Sequence, residues 1–142
     1  MRLRPYAPLV LVLVATVPAA CAGTGAGPTD GLAPVPITDF KMVAGKWEGL
    51  VSGLSAKRDD GDWAEMTISP DGTYDFGIYR TIGVFGGRGT FTLSDGKLQM
   101  RGDRGSATYA LYQGGGKRVL QAQATLSDGR PLTAKLTPEK VR

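Results

Sequence analysis

The chain has 142 residues, with 21 Gly, 9 Pro, one Cys, no His, 42% hydrophobic residues and a formal net charge of +4. Without His and with a single Cys it lacks the commonest general base and metal ligand, a thiolate zinc cluster, an intrachain disulfide and a Cys–His nucleophile pair. The length fits one domain, the aromatic and β-branched content argues against wholesale disorder, and the chain is expected to be non-enzymatic, with no metal or cofactor.

The first twenty residues read as a secretory signal. Arg2 and Arg4 supply a positive start, Leu9 to Val17 is an apolar stretch, and Pro18-Ala19-Ala20 closes it on small residues. A bilayer span needs about 20 apolar residues, and Pro5, Pro8 and Pro18 oppose a long helix, so a membrane-crossing helix is not expected here. From Ala22 to Pro36 the chain is mostly Gly, Ala, Pro and Thr with one charge, Asp30. Such a stretch buries too little to order itself, and as a coil it would span on the order of 20 Å. Three parts are therefore expected: a signal over 1–20, Cys21 with a flexible tether over 21–36, and a folded domain over 37–142.

Ala19-Ala20-Cys21-Ala22 resembles the lipobox of bacterial lipoproteins, with Pro18 standing where the family usually has Leu. The resemblance implies that Cys21 becomes the lipidated first residue of the mature chain, carrying a diacylglyceryl group and an amide-linked acyl chain. It also implies a cell-envelope location; in a Gram-negative cell, Ala22 in place of Asp implies the periplasmic side of the outer membrane. Two or more acyl chains make such attachment stable. All thirteen acidic residues lie past residue 20, while Arg2 and Arg4 lie before it, leaving fifteen basic against thirteen acidic residues. That mild balance does not call for nucleic acid as a partner.

Ile37 to Ala44 predicts one short helical turn, with Thr38 or Asp39 as its cap. Beyond Gly45 the period is two. Ala64, Met66 and Ile68 alternate with Trp63, Glu65, Thr67 and Ser69; Tyr74, Phe76 and Ile78 alternate with Asp75, Gly77 and Tyr79. Phe91 and Leu93, Leu98 and Met100, Ala107 with Tyr109 and Leu111, Leu120 with Ala122, Ala124 and Leu126, and Leu132 with Ala134 and Leu136 continue the pattern. One packed and one wetted face is the signature of antiparallel sheet. The connectors Ser69-Pro-Asp-Gly72, Ser94-Asp-Gly96, Gly114-Gly-Gly116 and Ser127-Asp-Gly129 are tight-turn sequences. With a strand at Trp47 this gives about eight short strands, which close most simply as an up-and-down barrel; a two-sheet sandwich is the alternative.

Phe40 to Gly49, with Gly45-Lys46-Trp47 at its centre, resembles the opening of lipocalin and calycin barrels. There a helical turn leads into Gly-x-Trp and the Trp plugs the closed end, which implies that role for Trp47. The small inward residues Ala64, Ala107, Ala122, Ala124 and Ala134 mean either close approach of strands or a residual cavity, and a barrel of so few residues favours close approach. The segment 81–89, with four Gly around Val84 and Phe85, is either a contact loop or a glycine-kinked strand, with the strand favoured.

Candidate chemistry is sparse. Glu48, Asp62, Glu65 and Asp75 are the carboxylates available for a glycosidase pair, each at an outward or turn position where solvation is the default. Asp59-Asp60-Gly61-Asp62 lacks the spacing of an EF-hand calcium loop, and Arg101-Gly102-Asp103 reads as a turn. Trp63, Tyr79, Phe85, Arg88 and Tyr112 are the candidate ligand or partner contacts, with Arg80 and Arg104 as further basic members of an aromatic–basic patch, since aromatics and Arg favour interface centres. The reading is a membrane-anchored, non-catalytic barrel that binds a small ligand or an envelope partner. The alternatives are an inhibitor of a protease or lysozyme that inserts 81–89 into a cleft, and a glycan hydrolase acting through carboxylates.

Overall fold

A computed structural model describes residues 31–55 and 61–140. Ten strands follow one another: β1 (Ala33–Val35), β2 (Gly45–Ser52), β3 (Asp62–Ile68), β4 (Thr73–Arg80), β5 (Gly83–Thr90), β6 (Thr92–Ser94), β7 (Lys97–Gly102), β8 (Gly105–Gly114), β9 (Lys117–Leu126) and β10 (Pro131–Pro138). A 3-10 turn at Phe40–Met42 lies between the first two, and the Asp39 carboxylate caps it by accepting from the Lys41 amide at 2.8 Å. All described pairings are antiparallel and the order is β5-β4-β3-β2-β10-β9-β8-β7-β6. This is the expected all-β meander, rolled into a nearly closed barrel.

Closure depends on one stretch of chain. β5 ladders onto β4 and β6 ladders onto β7, and only Phe91 separates them. Residues 83–94 thus run along one edge of the sheet and cross to the other, leaving a seam between β5 and the upper part of β7. The Phe91 amide donates to the Gly72 carbonyl at 2.8 Å and its ring is 1% exposed, which fixes the crossing point. Leu93, placed inward beside Phe91 by alternation, is 36% exposed because β6 is a three-residue edge strand with little above it.

The barrel has a filled end and an open one. Trp47, Ile68, Phe91, Leu98, Leu111 and Leu120 pack together at the first, under Ile37 and Val43 of the entering chain. Trp47 is held there by its indole Nε1, which donates to the Val43 carbonyl at 2.8 Å. Each such side chain is worth about 1.5–3 kcal/mol in apolar area withdrawn from water.

One boundary differs from the sequence reading. The tether was drawn through Pro36, but Ala33, Pro34 and Val35 pair with Gln113, Tyr112 and Leu111 of β8, and Ile37 is 2% exposed. Pro in a three-residue edge strand does not break the pairing, because an edge leaves one row of amides unused. The signal over 1–20, Cys21 and the first part of the tether lie outside the described residues.

Candidate functional site

The inner wall of the open half encloses a cavity of about 240 Å³. Ala64, Ala107, Ala122, Ala124 and Ala134 line it together with Val51, Met66, Ile78, Leu132, Tyr74, Phe76 and Tyr109. The register explains the concentration of small side chains: Ala107 faces Ala124, Ala122 faces both Tyr109 and Ala134, and Ala134 faces Val51. Close approach of strands around these alanines was the favoured expectation, and the cavity corrects it. Strand spacing is fixed at about 4.8 Å by the ladder and barrel width by strand number and stagger. Replacing large inward residues by alanine therefore hollows a barrel instead of narrowing it.

An aromatic path leads through this space. Phe85 and Phe76 have centroids 6.2 Å apart, Phe76 and Tyr74 6.2 Å, Tyr74 and Phe91 4.4 Å, and Phe91 and Tyr109 5.4 Å. The glycines of β5 make it possible. Gly87 and Gly89 stand opposite Phe76 and Tyr74, and a Cβ at Gly89 would lie 2.6 Å from the Tyr74 hydroxyl. From Gly83 on, segment 81–89 is accordingly a strand whose missing side chains are replaced by rings from β4, not a protruding loop.

Tyr74 and Tyr109 are each 7% exposed and are the cavity's hydroxyl groups at its inner end. Neither hydroxyl has a hydrogen-bond partner among the described residues. Burial raises the pKa of both, and for Tyr109 the neighbouring Tyr74 adds to the effect. Both stay neutral and able to donate or accept through the physiological range. At the other end the cavity meets the seam. There the Arg104 guanidinium, from the β7–β8 turn, lies 4.4 Å over the Phe85 ring, while its carbonyl accepts from the Ser127 amide at 2.9 Å. One cation–π contact thus bridges the seam, of the order of 0.5–1 kcal/mol at an exposed position.

The structure separates the residues selected from sequence. Phe85 faces the cavity, and Arg88, on the same strand, borders it with an exposed side chain 4.0 Å from Asp75. Trp63 and Tyr79 face one another on the outer wall, 42% and 46% exposed, and Tyr112 lies against β1 at the filled end. Trp47 sits at the filled end, 2% exposed. The five proposed contacts therefore form no single patch: one ring faces inward and three lie on two separate parts of the outer wall.

Among the candidate carboxylates, Glu48 and Glu65 are direct cross-strand partners on the outer wall. Asp62 departs from its expected solvated position: it is 5% exposed and lies 3.6 Å from Arg80 Nε. Its register puts it on the inward face with Ala64 and Met66, where an Asp needs a cationic partner. Asp59 and Asp60 lie outside the described residues, and among the described residues no three metal-ligating side chains converge.

One arginine escaped the sequence reading. Arg118 occupies an inward position of β9, two residues before Leu120, with its guanidinium 5.4 Å over Trp47 and an Nη2 bond to the Met42 carbonyl. The alternation read from Val119 onward reaches it when extended by one residue, and a charge on an inward position is the signal. The contact of Arg104 with Phe85 depends on how the sheet rolls up, which strand alternation does not encode.

Fold and cavity together define a nearly closed antiparallel meander barrel with an apolar interior chamber. No family model and no curated protein matches the chain. Among solved structures it is similar to zebrafish ileal bile acid-binding protein complexed with cholic acid, at 14% identity and a TM-score of 0.38, over 69% of this chain and 98% of that one. A likeness of that degree says nothing about what this barrel holds.

Proposed function

We propose that the protein is a lipid-anchored envelope barrel that binds, without catalysis, a small apolar ligand bearing a hydrogen-bonding group. The observation that carries the reading is the alanine-lined cavity with the Tyr74 and Tyr109 hydroxyls at its inner end. At about 240 Å³ it exceeds the roughly 150 Å³ apolar cavity that admits benzene, and it falls below the about 300–1,000 Å³ of drug-sized pockets. A fused bicyclic ring or a short acyl chain is the scale that fits. Hydroxyls that open into the cavity without a protein partner favour a ligand that supplies one, a hydrogen bond worth about 0.5–1.5 kcal/mol.

Naphthol and naphthalene test this reading with the purified full chain. A ligand that binds only the folded form raises the unfolding temperature in proportion to its occupancy. Naphthol should raise the midpoint more than naphthalene, Tyr74→Phe with Tyr109→Phe should equalise the two, and Ala124→Phe should abolish both shifts. No shift with either compound in the wild-type chain overturns the reading.

The anchor is supported by the arrangement of Arg2, Arg4, the Leu9–Val17 stretch and Ala19-Ala20-Cys21. Expression of the full gene followed by membrane fractionation and mass measurement tests it. Cys21→Ser should move the protein from membrane to soluble fractions and remove the acyl mass, and equal membrane recovery of the two forms excludes the anchor.

A further inference from the structure

Leu50, Trp63, Tyr79 and Val84 stand directly opposite one another on β2, β3, β4 and β5. Four consecutive strands therefore carry one uninterrupted apolar row on the outer wall, toward the open end. The four are 47%, 42%, 46% and 66% exposed, and Ile82, in the turn beside Val84, is 86% exposed. The outer face of a half-solvated sheet normally carries polar residues at such positions. Single exposed apolar side chains need no explanation, but a contiguous set marks a contact. The two rings are also held in place. Trp63 Nε1 and Tyr79 Oη donate to the two carboxylate oxygens of Glu65, at 3.4 and 3.1 Å, so they lose little freedom on contact.

The extent of the row argues for its occupant. Five residues fall far short of the about 20–30 a side of a stable protein interface. The surface does not widen either, since the next row toward the filled end is Glu48, Glu65, Gly77 and Gly86. Trp and Tyr with their polar atoms turned to one side, beside Leu, Val and Ile, suit the boundary between headgroups and acyl chains. We propose that this row docks the open end of the barrel onto a lipid bilayer, entering to the depth of one row and stopping at Glu48 and Glu65. Among the described residues the charges beside the row do not favour anionic lipid, because Arg80 is engaged by Asp62, and Lys135, opposite Leu50, stands against Glu48 and Glu65 on the neighbouring row. The occupant is therefore a zwitterionic surface, held by apolar contact.

Chain length permits the contact. Residue 33 pairs at the filled end, and strands of eight to ten residues separate that end from the row. From Cys21 to Gly31 the chain can extend by about 3.3–3.6 Å per residue, enough to run the height of the barrel. This reach alone rests on the anchor proposed above; the row does not.

The test uses the full chain with phosphatidylcholine vesicles whose acyl chains carry bromine either near the headgroup or near the chain end. Trp63 fluorescence should be quenched more strongly by the shallow bromines, and Trp63→Phe should remove the quenching, since Trp47 is buried. Ile82→Ser with Val84→Ser should lower the quenching several-fold without moving the unfolding midpoint. Absence of quenching, or quenching that the double variant leaves unchanged, overturns the proposal. So does shielding of Trp63 from acrylamide in a lipid-free dimer of the chain. Loss of the anchor would appear separately, as soluble protein in the fractionation described above.

Discussion

Tyr109 concentrates the chemistry of the interior in one hydroxyl. Its pKa is raised by burial and by the neighbouring Tyr74, so the folded barrel holds it protonated well above the ordinary tyrosine value. In the unfolded chain it ionises near pH 10. Stability from this source is therefore complete below about pH 10 and is lost as the pH rises above it, because ionisation there favours the unfolded state. Urea unfolding across this alkaline range should show a falling limb, which Tyr109→Phe makes shallower while leaving the neutral-pH midpoint close to wild type. A limb of unchanged slope in the variant would mean that other groups govern alkaline unfolding.

At the scale of the element, β1 and β5 show how a strand can escape its own composition. Ala-Pro-Val at 33–35 has no alternation to read, and only the free edge of β8 at Leu111 to Gln113 makes it a strand. Its contribution is separable: a chain lacking residues 1–30 should unfold like the parent, whereas one lacking residues 1–36 loses three paired positions. At about 0.5–1.5 kcal/mol per hydrogen bond, denaturant unfolding should show a loss of roughly 1–3 kcal/mol. β5 is the converse case, because Gly86, Gly87 and Gly89 weaken strand propensity and the rings of Phe76 and Tyr74 supply what those positions lack. The β-branched and alternating strands β3, β8 and β9 were legible because each carries its own inward and outward sides. β1 and β5 were not fully legible, since each depends on a neighbour distant in sequence.

For the whole molecule, the same alternation that located the core left its filling undecided. The inward residues were identifiable one by one, and the alanines among them were noticed, but their segregation into one half is a matter of register. Ala107 meets Ala124 and Ala122 meets Ala134 only once the β8–β9 and β9–β10 hairpins have closed in register. The outer row is the same kind of fact. Trp63 and Tyr79 could be picked out as exposed aromatics, whereas their alignment with Leu50 and Val84 required three ladders at once. Arg104 over Phe85 lies further still from the sequence, since it spans the seam and no ladder connects the two residues.

That seam has a mechanical consequence. Residues 83–94 act as a strap drawn around an otherwise continuous wall, buckled at Phe91 and held at its free side by the Arg104 guanidinium stacked on Phe85. Because β5 is laddered to β4 along its whole length, release of Arg104 from Phe85 would loosen the seam only through flexing of β4 and β5 together. The seam is then the part of the wall where entry to the chamber is expected to be easiest, and Arg104→Ala should speed naphthol uptake in stopped-flow mixing without lowering the unfolding free energy by more than about 1 kcal/mol.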